Sequence, residues 1–340
     1  MKGVRRICSW IAGTVLFLAG FLKLMDPVGA GLVVGEYYKF LHISFLAPTA
    51  AFAGVALAFF ETLVGAAMIT GIRQRLTAAV SGVMLGFFTV LTFIMWRVNP
   101  DMDCGCFGEA VHLSHMQSLL KNLVLCALWA GAFLPFRSLG SPDRIKSVSF
   151  SITVLSVLAF TVYSLVSIPA MDFTPFKPGV TLMQARQDPD AEAPLLSICC
   201  DEDGEYCDWM LAKGPAVVVS AYDPDRIGAS RAAALREFAG SLDGIAPTFF
   251  VFAGECPELP DSYSADRRTL LTLNRSNGGV TLLSDGVVIA KWPSRSLPDR
   301  DHVAELLGQD PAEAMMKENT PKRLRLQGFL LYVFAVLLLL

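Results

Sequence analysis

The chain has 340 residues, 53% hydrophobic and 17% charged, with a formal net charge of −3 at pH 7. Only 19 of its 59 Lys, Arg, Asp and Glu side chains fall in residues 1–171, so the first half reads as membrane and the second as water-soluble, which excludes a single soluble globule. From residue 172 on, 24 acidic side chains stand against 16 basic ones, the reverse of what a phosphate backbone attracts, so nucleic acid is excluded as a partner.

Runs almost free of charge occur at about 7–24, 48–70, 76–96, 118–136 and 148–170, each close to the ~20 residues that cross a bilayer. They predict five transmembrane helices, and a shorter final run, 326–340, is taken as a sixth. Lys2, Arg5 and Arg6 precede the first run as in a signal peptide, but no small-residue cleavage site follows and the segment reads as retained. Lys and Arg cluster at the N-terminus, at Arg73 and Arg75, and at Arg137, Arg144 and Lys146, which assigns those ends to the cytoplasm. The loop 97–117 and everything from 172 to about 325 then face a bacterial periplasm. Lys317, Lys322, Arg323 and Arg325 lie outside under this topology, against the bias, although long domains cross largely regardless of charge.

Two features mark chemistry in the membrane half. Glu61 lies within the second run, where an ionisable group is costly and calls for a partner from another helix; Lys23, Asp26 and Glu36, at or beyond the outer end of the first span, are the candidates. Two other readings stand beside this one: a protonated Glu61 bonding between helices, and a Lys23–Asp26 pair at the end of the first helix, which Pro27 terminates. The second feature is NPDMDCGCFGEA (99–110), with Cys104 and Cys106 either side of Gly105. A disulfide across one residue closes a small strained ring that is easily reduced, an oxidant more than a staple. Gly105 supplies backbone freedom, and Asp101, Asp103 and Glu109 are expected to hold the thiol pKa values up. Ser114 with Gln117 reads as a capping box that starts the next helix. The alternatives are a structural bond to another cysteine and metal ligation with His112 and His115, the latter disfavoured by spacing. Cys8 and Cys126 lie in spans and read as apolar filler.

In the soluble half, 215–222 and 246–254 read as buried strands flanking an amphipathic helix at 228–242, a parallel pair. GVTLLSDGVVIAKW (279–292) reads as a hairpin turned at Asp285-Gly286, followed by a closing helix. Cys256 follows the second strand as a secondary thiol candidate, as do Cys199, Cys200 and Cys207 in CCDEDGEYC, whose pairing the spacing leaves open.

AGFLKLMDPVGAGLVVGEYY, Glu61 and DCGCFG together resemble the DoxX/MauE group of membrane proteins over about residues 5–137, with CGCFG the most specific part. The resemblance implies a four-helix membrane bundle. It also implies quinone-linked chemistry in the DoxX branch, and maturation of a disulfide-rich periplasmic dehydrogenase subunit for methylamine utilisation in the MauE branch. The bundle also resembles vitamin K epoxide reductase and its bacterial disulfide-forming relatives, which carry Cys-X2-Cys in place of Cys-X-Cys. The order of elements from 215 on is similar to thioredoxin, but YDPDRIGAS stands in place of its Cys-X2-Cys, and SNGG in place of its cis-proline.

The expected fold is therefore a membrane α-helical bundle, a DoxX/MauE-like core plus extra spans, with an α/β thioredoxin-like soluble domain. Its parts are the bundle at 1–137, a cytoplasmic loop and fifth helix at 138–171, a periplasmic domain at 172–325 and a C-terminal span at 326–340. The expected function is an inner-membrane thiol-redox or periplasmic maturation factor. Cys104 and Cys106 exchange disulfides with periplasmic protein thiols, Gly105, Phe107 and Gly108 support them, Lys23, Asp26 and Glu61 form the intramembrane polar set, and quinone is the candidate acceptor. No metal is expected, and membrane lipid surrounds the spans. The rival reading is a non-catalytic membrane scaffold whose soluble domain binds a client.

Overall fold

The computed structural model describes residues 2–100, 102, 104–135, 144–169, 171–182, 196–198, 207–259 and 261–339. They form two compact units, residues 1–166 with 327–340, and residues 167–326. Asp101, Asp103, Cys199 and Cys200 lie outside the described residues.

The first unit is helical because a bilayer offers no water to backbone groups, so each span must satisfy its own hydrogen bonds. Helices α1 (Lys2–Met25), α3 (Ala50–Thr70), α4 (Gln74–Val98), α5 (His115–Phe133) and α6 (Arg144–Val166) supply five segments long and apolar enough to cross a membrane. The chain is a multi-pass membrane protein. Between lipid-solvated helices the hydrophobic drive is weak, and close backbone packing takes its place. Gly13, Gly20 and Gly65 make that possible where α1 meets α3: a Cβ on Gly65 would lie 2.3 Å from the Phe17 nitrogen, and one on Gly20 would lie 2.5 Å from the Thr62 nitrogen. Polar bonds join α4 to α5. Trp129 Nε1 donates to the Ala78 carbonyl at 3.0 Å, and Asn122 Nδ2 donates to the Thr92 hydroxyl at 3.1 Å and the Phe88 carbonyl at 3.2 Å.

Pro27 ends α1 but also starts a helix that the charge pattern did not predict, α2 (Pro27–Phe40). Its fixed φ and missing N–H suit the first helical position, and Asp26 caps it by accepting from the Gly29 N–H at 2.9 Å. Asp26 therefore serves as a helix cap, and Lys23 pairs elsewhere. Strand β1 (Cys106–Glu109) follows α4, and the Ser114–Gln117 capping box opens α5 with both reciprocal bonds formed.

The C-terminal apolar run differs from a separate span starting at 326: it is the end of one long helix, α10 (Pro311–Leu339). Within the first unit, Phe329 stacks on Phe160 and Phe21, Phe334 packs edge-on to Phe17, and the Ser149 hydroxyl donates to the Val336 carbonyl.

The second unit is a mixed five-stranded sheet in the order β4 (Tyr263–Ser264), β3 (Thr248–Phe252), β2 (Pro215–Ala221), β5 (Gly279–Ser284), β6 (Val287–Trp292). Strands β2, β3 and β4 run parallel, with α7 (Ala229–Ser241) as the crossover from β2 to β3, while β5 and β6 are an antiparallel hairpin. Strand β2 is buried along almost its whole length, as its unbroken Ala-Val-Val-Val sequence dictates for a strand covered on both faces. The short helix α8 (Arg267–Leu273), capped by Asp266, lies before the hairpin, and α9 (Arg300–Leu307) follows it.

Replacing Gly65 by Ala should force α1 from α3 and lower stability by about 1–3 kcal/mol, the usual cost of overpacking. Thermal unfolding in detergent measures this, and an unchanged midpoint would contradict the close contact.

Candidate functional site

The loop after α4 carries the two cysteines, and three local constraints hold it. Gly105 has φ +57°, and a Cβ there would lie 2.3 Å from Val33 Cγ1 on α2, so both conformation and space demand glycine. Gly108, at φ +63°, closes the turn by donating its N–H to the Gly105 carbonyl at 3.1 Å. Tyr37 on α2 donates its hydroxyl to the Cys104 carbonyl at 2.7 Å, and burial raises its pKa, which keeps the phenol a donor.

Both cysteines are free thiols. Cys104 is 3% exposed with its sulfur 4.0 Å from the Met95 sulfur, and Cys106 is half-buried. They line one cavity of about 540 Å³ in the first unit, walled by apolar and aromatic side chains that include Val33, Leu57, Phe60, Phe87, Phe88 and Leu91. Lys23, Glu61 and Lys121 line it too. The partner Glu61 calls for is Lys23, whose ammonium donates to its carboxylate at 2.6 Å, with the two side chains 12% and 3% exposed. Lys121 on α5 has its ammonium 4.9 Å from the Phe107 ring centroid, a cation–π contact that gives Phe107 a definite role.

The electrostatics of the two thiols diverge. A hydrogen bond from Cys104 pulls the Cys106 thiol down to about 5, against burial, and Lys121, the Ser118 hydroxyl and Lys23 act in the same direction. Cys104 is raised by that same bond, then by burial and by the negative charge on its neighbour. The expectation that nearby acids would hold both thiols up is therefore corrected for Cys106. Two cations and two donors outweigh Glu109, which sits at the end of β1, and Cys104 is raised by its neighbour and burial rather than by carboxylates. Among the described residues the buried Ser118 hydroxyl makes no other hydrogen bond.

Lys121, Ser118 and Tyr37 were not singled out from sequence. The costliness of a charge in a span, applied to Lys121 as to Glu61, would have found the first; nothing local signals the other two. The remaining thiols are apart from this cavity. Cys256 is free but only 2% exposed within the core of the second unit, and Cys207 is disulfide-bonded. Among the described residues no group of three or more His, Cys, Asp or Glu could hold a metal ion, and the His115 ring Nε2 faces the Pro100 carbonyl at 3.0 Å.

Because the thiolate is the reactive form, alkylation of Cys106 in the reduced protein should be nearly constant from about pH 6.5 to 8.5 and fall by half near pH 5. Cys104→Ala should move that midpoint upward further than Lys121→Met does, since the thiol hydrogen bond is the larger cause. A rate that climbs tenfold per pH unit through pH 8 would contradict the assignment.

Residues 1–136 match the family model described as Methylamine utilisation protein MauE. No curated protein and no solved structure matches the chain. The first 136 residues are thus a MauE-like membrane segment, and the mixed-sheet unit lies beyond the match.

Proposed function

We propose that the chain is a membrane thiol oxidant that donates the Cys104–Cys106 disulfide to a protein carrying thiols. The carrying observation is the split between a half-buried Cys106 favouring thiolate and a buried Cys104 favouring thiol, in one apolar cavity. A thiolate stabilised in the dithiol form makes the disulfide a stronger oxidant, and ring strain across Gly105 works in the same direction.

The exchange balances as follows. A partner thiolate attacks the Cys106 sulfur of the disulfide, a mixed disulfide forms, and Cys104 leaves as a thiolate that takes up a proton. A second partner thiolate then attacks the partner sulfur and expels Cys106 as thiolate, a good leaving group because of its low pKa. The partner loses two electrons to the pair. The accessible sulfur makes the intermolecular bond, and the buried one closes the ring.

Regenerating the disulfide requires a two-electron acceptor, which a quinone would supply when bound. An aromatic, apolar wall with the Lys121 ammonium beside the sulfurs suits a flat ring bearing carbonyl oxygens. The Lys and Arg distribution supports an outward-facing cysteine loop in the inner membrane, with N-terminal residues in the cytoplasm and the second unit in the periplasm. For that second unit a thioredoxin-like, client-binding role is supported by its parallel crossover, its closing hairpin and its final helix. Its buried Cys256 is not presented to a partner. The family description speaks of methylamine utilisation, and a disulfide-bearing protein of such a system is the kind of client this exchange would serve.

The test is asymmetric trapping in native membranes. Cys104→Ala, given the oxidised partner, should accumulate a reducible mixed disulfide on Cys106 by the reverse exchange, because no Cys104 thiol remains to displace the partner, while Cys106→Ala should trap none on the buried Cys104. Equal trapping by both variants, or by neither, would favour the scaffold reading.

A further inference from the structure

A second cavity, about 410 Å³ in volume, lies wholly within the second unit and has no role in thiol exchange. Lys177, Arg275, Lys291, Lys322 and Arg323 line it, against a single lining carboxylate, Asp172. That carboxylate is occupied by Lys291 at 2.5 Å, and Lys322 is bonded to Glu318 at 2.8 Å. Lys177 and Arg323 have no carboxylate partner among the described residues. Apolar side chains, among them Ile168, Met171, Phe173, Met315 and Met316, share the rest of the wall with the polar Thr272, Asn274, Asn319 and Thr320. An excess of cations beside an oily wall fits an amphipathic anion better than a fully hydrated one.

Chain connectivity sets its surroundings. Ile168 is two residues past the end of α6, a membrane-spanning segment, so it lies within roughly 7 Å of that end along the chain. Arg323 precedes by three residues the apolar run that begins at Leu326. We infer that this cavity binds the phosphate headgroup of an anionic membrane lipid, with Lys177 and Arg323 on the phosphate and the methionine and phenylalanine wall along the glycerol and upper acyl region. Such a role accounts for Lys322 and Arg323 at a position where, with the second unit facing outward, the orientation bias disfavours cations.

The experiment uses the full chain in nanodiscs of phosphatidylcholine with a trace of photoactivatable phosphatidylglycerol, and maps the label by peptide mass. Labelled peptides should include 168–178 or 315–323, and unlabelled phosphatidylglycerol but not phosphatidylcholine should compete. Lys177→Ala with Arg323→Ala should weaken that labelling by roughly thirtyfold, about fivefold for each cation near a lipid surface, and leave labelling of the spans as an internal control for insertion. Lys177→Arg with Arg323→Lys should retain it, which separates lost charge from lost folding. No label at these peptides, equal competition by phosphatidylcholine, or full labelling of the alanine variant would overturn the proposal. Displacement by soluble glycerol phosphate at the concentration of lipid that competes would reassign the cavity to a free phosphate ester and equally overturn it.

Discussion

The Lys23–Glu61 ion pair, closed at 2.6 Å between α1 and α3 and nearly free of solvent, is the constraint on which the membrane half depends. Removing one partner from such a pair leaves an uncompensated charge and typically costs about 3–5 kcal/mol, whereas the intact pair adds little net stability over apolar packing. Stability alone therefore gives little account of its presence, and on the proposed function the pair serves the cysteine cavity. The same α1–α3 contact that glycines bring to backbone distance carries the pair into the wall of the cysteine cavity.

The cavity's charges are close to balanced when Cys106 is a thiolate: Lys23 and Lys121 against Glu61 and Cys106. On the proposed exchange, oxidation of the cysteines removes one negative charge and leaves the two cations Lys23 and Lys121 facing Glu61 alone. The dithiol is thus the electrostatically satisfied state and the disulfide the unsatisfied one. On the proposed exchange this charge balance would favour the dithiol and so work in the direction of an oxidant, independently of the ring strain that the one-residue spacing imposes.

Much of this was legible in the sequence because it rests on local or one-dimensional signals. Charge-free length located five spans, the Ser114–Gln117 spacing gave the start of α5, and the cost of Glu61 in lipid demanded a partner that the structure identifies as Lys23. Where the reading failed, the determinant was non-local. Pro27 does end α1 as its chemistry predicts, but its second role, as the first residue of α2, goes unread because that helix also relies on packing against α3. The Cys106 environment was read from sequence neighbours, whereas Lys121 and Ser118 arrive from α5 and outweigh them. Helix α8 is short and sits in a polar stretch to which the sequence reading assigns no element.

The reduction potential of the Cys104–Cys106 couple, titrated against glutathione in detergent and read by differential alkylation and mass, tests the central claim most directly. A stabilised Cys106 thiolate predicts a value above about −180 mV, on the oxidising side of disulfide isomerases and toward the strongest periplasmic thiol oxidants. A value at or below about −270 mV, where thioredoxin lies, would make the pair a reductant and contradict the account.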